Sequence, residues 1–227
     1  MYSILFIKFI ISSLFKIGII ILLQIIDLEL SFDNKILFKN FTFKLKNGKI
    51  GLISAPSGKG KTTLLKWIAG IHISKLNSKG KLYLNNIDIS KQEIEDRKIG
   101  ILFQKPFLFP NLTVKENLYF AMQKRIRGIK ERKKIINKIL SDIELPQNSN
   151  DPSKLSSGQL TRVALVMTFL SKPNLILLDE PFSSLDAKIR KKMFDFVKKN
   201  IKDHNIPLLI TSHDPRDLKE ADNVIKI

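Results

Sequence analysis

The sequence predicts one α/β domain in which helices pack on a mostly parallel β-sheet. The chain has 227 residues, of which 44% are hydrophobic, and a single domain of this length can bury a substantial core. Strand-like apolar runs alternate with segments of helical periodicity, an order that is typical of helices packed on a parallel sheet. Polar residues follow several of the apolar runs directly. Ligands bind at the carboxyl ends of the strands in such sheets, so these polar residues are the first candidates for a functional site.

The N-terminal stretch is almost wholly apolar, but Lys8 and Lys16 interrupt it. A charged residue near the centre of a membrane-spanning helix costs about 2.5 to 3.5 kcal/mol, which argues against a transmembrane helix. A signal peptide also fits badly, because no basic segment precedes the apolar one and no A-x-A-like cleavage site follows. Residues 1–20 are therefore either a membrane-surface segment or an upstream extension read from the wrong start codon. We divide the chain into an apolar leader, 1–22, and a folded domain, 23–227.

The formal net charge of +18 raises the question of a nucleic acid or an anionic membrane surface as a partner. The densest basic run, KRIRGIKERKK at 124–134, carries Ile126 and Ile129 at roughly helical intervals and is followed by Ile135 and Ile136. This spacing predicts a solvated helix face, so we expect no nucleic-acid partner. Because the chain has no cysteine, a disulfide framework and a thiolate metal site are both excluded.

The first two strands and the first helix follow from composition and periodicity. The segment LQIIDLELSF, 23–32, has the β-branched content and the length of a first strand. A second apolar run, GKIGLIS at 48–54, precedes TTLLKWIAGI, whose Leu64, Leu65, Ile68 and Ile71 share one helical face. The order is therefore strand, loop and helix.

The loop between this strand and this helix resembles a phosphate-binding loop. In ISAPSGKGKTT, 53–63, the last three positions of the Walker A pattern G-x-x-x-x-G-K-[ST] are Gly60, Lys61 and Thr62, but Ala55 replaces the first glycine. Such a loop directs backbone N–H groups into a nest at a helix N-terminus, where Lys61 would reach the terminal phosphates and Thr62 would bind Mg²⁺. A methyl group at Ala55 should be tolerated if its φ is negative. Taken alone, the segment could also be a glycine-rich turn.

Three later apolar runs end in residues that suit phosphate chemistry. NLILLDEP is typical of a buried strand that delivers Asp179 and Glu180 to the carboxyl edge of the sheet. Asp179 can hold Mg²⁺ through a water molecule, and Glu180 can polarise an attacking water. Gln104 follows IGILF, where its amide can bind Mg²⁺ or a water of the ion, and His213 follows PLLIT, where its imidazole can donate to a γ-phosphate oxygen. Each of these residues alone could instead be an ordinary surface or structural side chain.

A further motif lies between the phosphate loop and the two acids, and it resembles the signature of a known family. LSSGQ at 155–159 resembles the LSGGQ signature of ATP-binding-cassette (ABC) ATPases, and the other motifs occur in the order of that family. The resemblance covers about residues 27–227. It implies a P-loop NTPase fold of ABC type, with an antiparallel β subdomain beside the main sheet and a helical subdomain inserted at about 105–160.

The resemblance also implies roles for individual residues. Phe32 matches the aromatic residue that stacks on adenine, Gln104 matches the Q-loop, SSLD ending at Asp186 matches the D-loop, and His213 matches the switch histidine. The implied catalytic residues are Lys61, Gln104, Glu180 and His213, and the implied Mg²⁺ ligands are Thr62, Gln104 and Asp179. The implied ATP contacts are Phe32, Ala55, Pro56, Ser57, Gly58, Lys59, Gly60, Lys61, Thr62, Thr63, Gln104, Ser156, Ser157, Gly158, Gln159 and Asp186.

The signature segment implies a pair of subunits. Ser156, Ser157 and Gly158 precede a helical segment, so hydroxyl and backbone donors cluster at a helix start, where an anion can bind. In the family this site closes over the ATP that the other subunit holds, so a head-to-tail homodimer contains two composite ATP sites. Ser157 replaces a signature glycine, and its hydroxyl could either help as a donor or crowd the interface.

The use of the ATP energy is inferred from the region after the Q-loop. FLFPNLTVKENLYFA, 107–121, resembles the LFPHLTV-x-EN segment of importer ATPases for polyamines, thiamine, iron(III), molybdate or sugars. The resemblance implies a peripheral ATPase on the cytoplasmic face of the inner membrane, with a permease and a solute-binding protein as partners. An exporter or lipoprotein-release ATPase, or a non-hydrolysing regulatory cassette, is the alternative. We expect Phe107, Phe109, Leu118, Tyr119 and Phe120 to form the groove for a permease helix, although packing in the core could claim several of them.

Overall fold

The computed structural model describes residues 22–33, 35–122, 128–146 and 150–227. The interpretations of the apolar leader therefore concern residues that, apart from Leu22, lie outside the described part of the chain. Nine strands and seven α-helices occur within that part. They are β1 (Leu22–Phe32), β2 (Lys35–Lys46), β3 (Ile50–Ser54), α1 (Lys61–Ala69), β4 (Leu76–Leu84), β5 (Ile87–Asp88), α2 (Ile94–Arg97), β6 (Ile99–Leu102), α3 (Val114–Ala121), α4 (Ile129–Asp142), α5 (Ser157–Leu170), β7 (Leu175–Asp179), α6 (Ala187–His204), β8 (Leu208–Thr211), α7 (Pro215–Leu218) and β9 (Asn223–Lys226).

The central sheet has five parallel strands in the order β6-β7-β8-β3-β9. Strand β7 is buried at every position, as its uninterrupted apolar sequence predicts for the middle of a parallel sheet. Because neighbouring strands run in the same direction, β3, β7 and β8 end at one edge. In the register of β7 and β8, Asp179 is the partner of Thr211. This edge carries the residues that the sequence predicts for phosphate chemistry.

A second sheet lies over helix α1. Its order is β2-β1-β4-β5, and all of its pairs are antiparallel. Alternate side chains of β1, such as Leu23 and Ile25, are buried in one core with Leu64, Leu65 and Ile68 of α1. Helix α1 is therefore held between the two sheets. The predicted α/β class with a mostly parallel sheet and an antiparallel β portion is confirmed.

The other face of the central sheet is covered by helices. Leu118 of α3, Ile136 of α4 and Val163 of α5 are buried in a single core with strands β7 and β8. Helices α3 and α4 lie in the region where the sequence predicts an inserted helical subdomain, and that division into domains stays a proposal. Positions 129–134 of the basic run form the solvent-facing start of α4, while positions 123–127 lie outside the described residues.

Helix α3 begins with a network that fixes the loop before it. The Thr113 hydroxyl accepts a hydrogen bond from the Glu116 N–H, and the Glu116 carboxylate accepts one from the Thr113 N–H at 2.7 Å. The bond from the Thr113 N–H, as the largest cause, and a second bond from the Thr113 hydroxyl hold the pKa of the Glu116 carboxyl below its usual value. The buried Asn117 amide donates to the carbonyls of Phe109 and Leu112. The aromatic loop after β6 is therefore bonded to the first turn of α3.

Candidate nucleotide-binding site

A cleft of about 340 Å³ lies at the carboxyl edge of the central sheet, between the two sheets. It is lined by Phe32, Lys35, Leu37, Ser57, Gly58, Gly60, Lys61, Thr62, Thr63, Gln104, Asp179 and Glu180. Most of the predicted site residues are therefore brought together. Lys35 and Leu37 of strand β2 were not predicted, because nothing in the sequence shows that β2 passes over the loop. Among the other predicted ATP contacts, Ala55, Pro56, Lys59, Asp186 and the signature residues do not line this cleft.

The loop before α1 requires its glycines. Gly58 and Gly60 have φ values of +79° and +87°, in the left-handed region that favours glycine. A Cβ at Gly60 would lie 3.1 Å from the Phe38 ring, whereas a Cβ at Gly58 would meet nothing within 4 Å. Ala55 is not among the residues with a positive φ. The backbone at this position therefore tolerates the methyl group that replaces the first glycine of the pattern. The loop therefore keeps the open, glycine-dependent form of a phosphate nest around Gly58.

Lys61 is buried at the start of α1. Its ammonium group donates hydrogen bonds to the carbonyls of Ala55 at 2.7 Å and Pro56 at 3.3 Å. It also lies 3.4 Å from Oε1 of Glu180. The positive charge therefore sits between the loop and the acid that follows β7, beside the cleft that a phosphate chain would occupy.

Asp179 is held by one hydroxyl on each of its carboxylate oxygens. Thr62 Oγ1 donates to Oδ2 at 2.6 Å, and Thr211 Oγ1 donates to Oδ1 at 2.6 Å. Among the described residues there is no group of three or more His, Cys, Asp or Glu side chains that could hold a metal. A hydroxyl and a carboxylate in contact at a phosphate loop nevertheless suit Mg²⁺, which is bound by few protein ligands together with water and substrate phosphates. The residues present fit the predicted ion.

Glu180 lies directly after β7, and nitrogen atoms of three side chains surround its carboxylate. Its carboxylate is 3.4 Å from the Gln104 amide nitrogen, 3.3 Å from His213 Nδ1 and 3.4 Å from the Lys61 ammonium group. Gln104 thus contacts Glu180 in this structure, and its role as a Mg²⁺ ligand stays a prediction. The backbone of Glu180 has a φ of +47°, a conformation that is strained for a residue with a Cβ. All four predicted catalytic residues therefore meet at one carboxylate.

A buried ion-pair cluster anchors the loop that carries His213. Arg190 of α6 lies 2.6 Å from Asp217 and 3.1 Å from Asp214, which follow His213 in the chain. Arg216 binds the Asp214 carboxylate through two nitrogens and, as the largest cause, holds the pKa of Asp214 well below its usual range. Asp214 is thus ionised at neutral pH and ties the His213 loop to α6. The sequence contains no pattern that predicts this cluster.

Replacing Arg190 by methionine should destabilise the fold. Asp217 would keep only its bond from the Ser212 hydroxyl, and loss of one partner of a buried pair costs about 3 to 5 kcal/mol. Urea denaturation measures the free energy of unfolding. Replacing Arg190 by methionine and Asp217 by leucine together should recover much of the loss, because no buried charge is then left unpaired. A single variant as stable as the wild type would contradict this account of the cluster.

The signature residues begin helix α5 on a different surface from the lining of the cleft. The helix begins at Ser157, so Ser157 and Gly158 lie in its first turn and do not precede it as the sequence suggested. Ser156 is the N-cap, and its hydroxyl accepts from the Gln159 N–H, while the Gln159 side chain accepts from the Ser156 N–H. A Cβ on Gly158 would lie 3.2 Å from the Ser184 carbonyl of the predicted D-loop. The signature and the D-loop therefore pack together within one chain.

Asp186 of the predicted D-loop caps helix α6. Its carboxylate accepts from the backbone N–H groups of Lys188 and Ile189, both at 3.0 Å. Thr161 and Ser184 are joined by a bond of 3.1 Å between their hydroxyls, which fastens the D-loop to α5. Any ATP contact from Asp186, Ser156 or Gln159 stays a prediction, because these groups make local capping bonds in the single chain.

Comparison with known proteins identifies relatives that match most of the chain. The chain is 36% identical over 178 residues to the "Probable sulfate/thiosulfate import ATP-binding protein CysA" of Chlorella vulgaris. The aligned region covers 78% of this chain and 74% of that protein. It is 32% identical over 206 residues to the Fe(3+) ions import ATP-binding protein FbpC of Fusobacterium nucleatum subsp. nucleatum, with 90% of this chain and 55% of that protein covered. The chain thus spans about half the length of the second relative.

Solved structures and a family pattern agree with these relatives. A dimeric structure of the ATP-binding cassette MJ0796 in a post-hydrolysis state, bound to ADP and Pi, superposes with a TM-score of 0.76 at 27% identity. The match covers 90% of this chain and 94% of that one. The sequence pattern described as ABC transporter matches residues 38–183, which include the phosphate loop, the signature and both acids. The chain belongs to the ABC transporter family.

Proposed function

We propose that this chain is an ATP-hydrolysing subunit that dimerises on ATP and drives a membrane permease, most simply one that imports a small solute. The observation that carries the proposal is the meeting of Lys61, Gln104 and His213 around the Glu180 carboxylate beside the Thr62–Asp179 contact. A phosphoryl-transfer site needs these parts in this proximity. The relatives from Chlorella and Fusobacterium are import ATP-binding proteins by name, which supports the transport part.

The residues at the cleft would have different roles in ATP hydrolysis. Glu180 would accept the proton of the attacking water, since its carboxylate follows the strand end directly and faces the cleft. Lys61 and His213 would stabilise negative charge that develops on the phosphoryl oxygens. Thr62 and Asp179, with Gln104, would hold Mg²⁺, which neutralises phosphate charge when bound. The backbone N–H groups around Gly58 and the N-terminus of α1 would bind the phosphate chain.

The signature of a second copy would complete each site. Ser156, Ser157 and Gly158 present a helix N-terminus, but they lie outside the cleft that contains Lys61 and Glu180. A second copy placed head to tail would bring its signature to the open side of the cleft. The similar MJ0796 cassette is dimeric in its structure with ADP and Pi, which supports such a pairing. The proposed active form is therefore a homodimer with two composite ATP sites.

We place the subunit at the cytoplasmic face of the cell membrane, bound to permease subunits and served by a solute-binding protein. In the part of the chain that the structure describes, no helix has the length and apolar character needed to cross a bilayer. We propose that the subunit attaches through an exposed aromatic surface. The side chains of Phe107 and Phe120 are 71% and 68% exposed, and both rings contact Phe109, at centroid distances of 6.0 and 4.8 Å. These three rings border a groove of about 400 Å³, which we propose as the permease site.

Not all residues expected in that groove belong to it. Leu118 is fully buried in the core, and Tyr119 packs partly against the same core. The predicted role of Leu118 at the groove is therefore wrong, because residue 118 faces inward, away from the exposed face of α3. Phe107, Phe109 and Phe120 remain, and the bonds from Asn117 to the backbone of Phe109 hold the loop in place.

Single cysteines at Phe107 and Phe120 should cross-link to a polytopic membrane protein in membranes of the native cell. The wild-type chain has no cysteine, so each introduced thiol is unique. A cysteine at Ile36, which is 64% exposed on the antiparallel sheet, is the matched control and should give no such product. Capture of only soluble proteins or nucleic acid through positions 107 and 120 would contradict the transporter assignment.

A further inference from the structure

Thr211 is a buried hydroxyl at the edge of the site that none of the predicted roles uses. It ends strand β8, next to the end of β7, and its side chain is fully inaccessible to solvent. The three residues before it in β8, Leu208, Leu209 and Ile210, are apolar and buried. A buried hydroxyl in such a strand must find partners, because an unpaired polar group in the interior is costly.

The partners of Thr211 are the two acids of the site. Its Oγ1 donates to Asp179 Oδ1 at 2.6 Å, and the same oxygen accepts from the Glu180 N–H at 3.1 Å. The Glu180 N–H is shared with the Thr211 carbonyl oxygen, also at 3.1 Å. A hydroxyl has one proton to donate, and here that proton is directed to Asp179. Thr211 is therefore joined to both acids and lines no part of the cleft itself.

Each bond constrains a feature on which the site depends. Because Oδ1 of Asp179 is occupied by Thr211, Oδ2 is the oxygen that meets Thr62 at the cleft. Glu180 has a left-handed backbone with φ of +47°, and such strain persists only where surrounding bonds hold it. The two acceptors of its N–H both belong to Thr211. One residue thus sets the rotation of the first carboxylate and holds the backbone that directs the second.

We infer that Thr211 is a positioning residue for hydrolysis, acting through Asp179 and Glu180 and touching neither nucleotide nor metal. The inference rests on the proposed function. Loss of the hydroxyl leaves the Asp179 carboxylate held by Thr62 at one oxygen, and it leaves the Glu180 N–H with the Thr211 carbonyl as its acceptor. The consequence is a lower kcat and a weaker metal site, with little change in the KM for ATP, because the phosphate loop is untouched.

The test compares Thr211→Val with Thr211→Ser. Valine keeps the β-branched shape and removes the hydroxyl, whereas serine keeps the hydroxyl. Thr211→Ala also lacks the hydroxyl, so the test does not depend on the folding of one variant. Ser90→Ala is the matched control, since the Ser90 hydroxyl likewise donates to a carboxylate, that of Asp88, and accepts from a backbone N–H, that of Leu82, away from the cleft. The readouts are kcat and KM for ATP, Mn²⁺ affinity by electron paramagnetic resonance with a non-hydrolysable ATP analogue, and thermal unfolding.

We expect Thr211→Val to lower both kcat and Mn²⁺ affinity, each by about 10- to 100-fold, as loss of a bond that orients a metal ligand commonly does. Thr211→Ser should recover most of the loss, and Ser90→Ala should match the wild type in kcat and Mn²⁺ affinity. In an Asp179→Asn background, the effect of Thr211→Val should be smaller than in the wild type, because the part that passes through that carboxylate is already lost.

Two results would overturn the inference, and they differ in what they imply. If the wild type hydrolyses ATP and Thr211→Val changes only the unfolding temperature, Thr211 is a packing residue and the proposed function stands. If the wild type binds Mn²⁺ and the ATP analogue but does not hydrolyse ATP, the proposed function fails, and the positioning role fails with it.

Discussion

Replacing Glu180 by glutamine is expected to reduce ATP hydrolysis by about 10²- to 10⁴-fold while ATP binding survives. Glutamine keeps the size of the side chain and can still bond Gln104 and His213, but it cannot take a proton from water. Lys61 and Thr62 are unchanged, so the phosphate loop and its helix still bind nucleotide. Phosphate release measures turnover, and equilibrium binding of labelled ATP measures affinity.

The control for this variant is Glu220→Gln. Glu220 is an exposed acid that pairs with Lys198 on the surface, so its neutralisation should leave turnover at the wild-type level. Wild-type turnover in Glu180→Gln would mean that another group accepts the proton. Loss of ATP binding together with turnover would mean that Glu180 acts by holding Lys61 and not as a base.

Replacing Lys61 by alanine should weaken ATP binding itself. A charge-assisted hydrogen bond from the buried ammonium group to a phosphate oxygen is worth about 1.5 to 3 kcal/mol, which corresponds to a loss of affinity of about ten- to more than a hundredfold. The variant should also remain monomeric with ATP, since bound nucleotide is what joins the subunits. Titration calorimetry with ATP and Mg²⁺ gives the affinity.

Lys66→Ala is the matched control because it removes the same charge from the same helix. Lys66 lies over the Phe103 ring and does not line the cleft, so its loss should leave ATP affinity unchanged. Equal weakening by both substitutions would show that the helix needs positive charge in general and that Lys61 has no specific contact with phosphate.

The site was predictable where its parts follow apolar strands directly. Asp179, Gln104 and His213 each come at or just after the end of a strand, and parallel strands place such ends at one edge. The glycine positions were predictable because a phosphate loop needs left-handed backbone, and Gly58 and Gly60 have it. Burial of Leu64, Leu65 and Ile68 followed from helical periodicity.

The missed features depend on contacts between elements that are distant in sequence. In the sequence, Thr211 is only the last residue of an apolar strand. The register of β8 with β7 is what brings it to Asp179. In the sequence, Arg190 is one of several basic residues of a helix and would be expected on its exposed face. In the structure it is buried against Asp214 and Asp217. The alternation of β1 gave no sign that Lys35, just after it, reaches the cleft. The positions of these three residues depend on strand pairing and on packing between distant elements, which local sequence patterns do not predict.

In the proposed active form, two copies of this chain close over ATP. Sedimentation of Glu180→Gln with ATP and Mg²⁺ tests this pairing, because a site that binds ATP without hydrolysing it should trap the closed dimer. We expect a dimer with ATP and Mg²⁺, a monomer without nucleotide, and a monomer for Lys61→Ala under both conditions. A Glu180→Gln protein that binds ATP tightly and stays monomeric would contradict this pairing, and would mean that Ser157 disables the composite site.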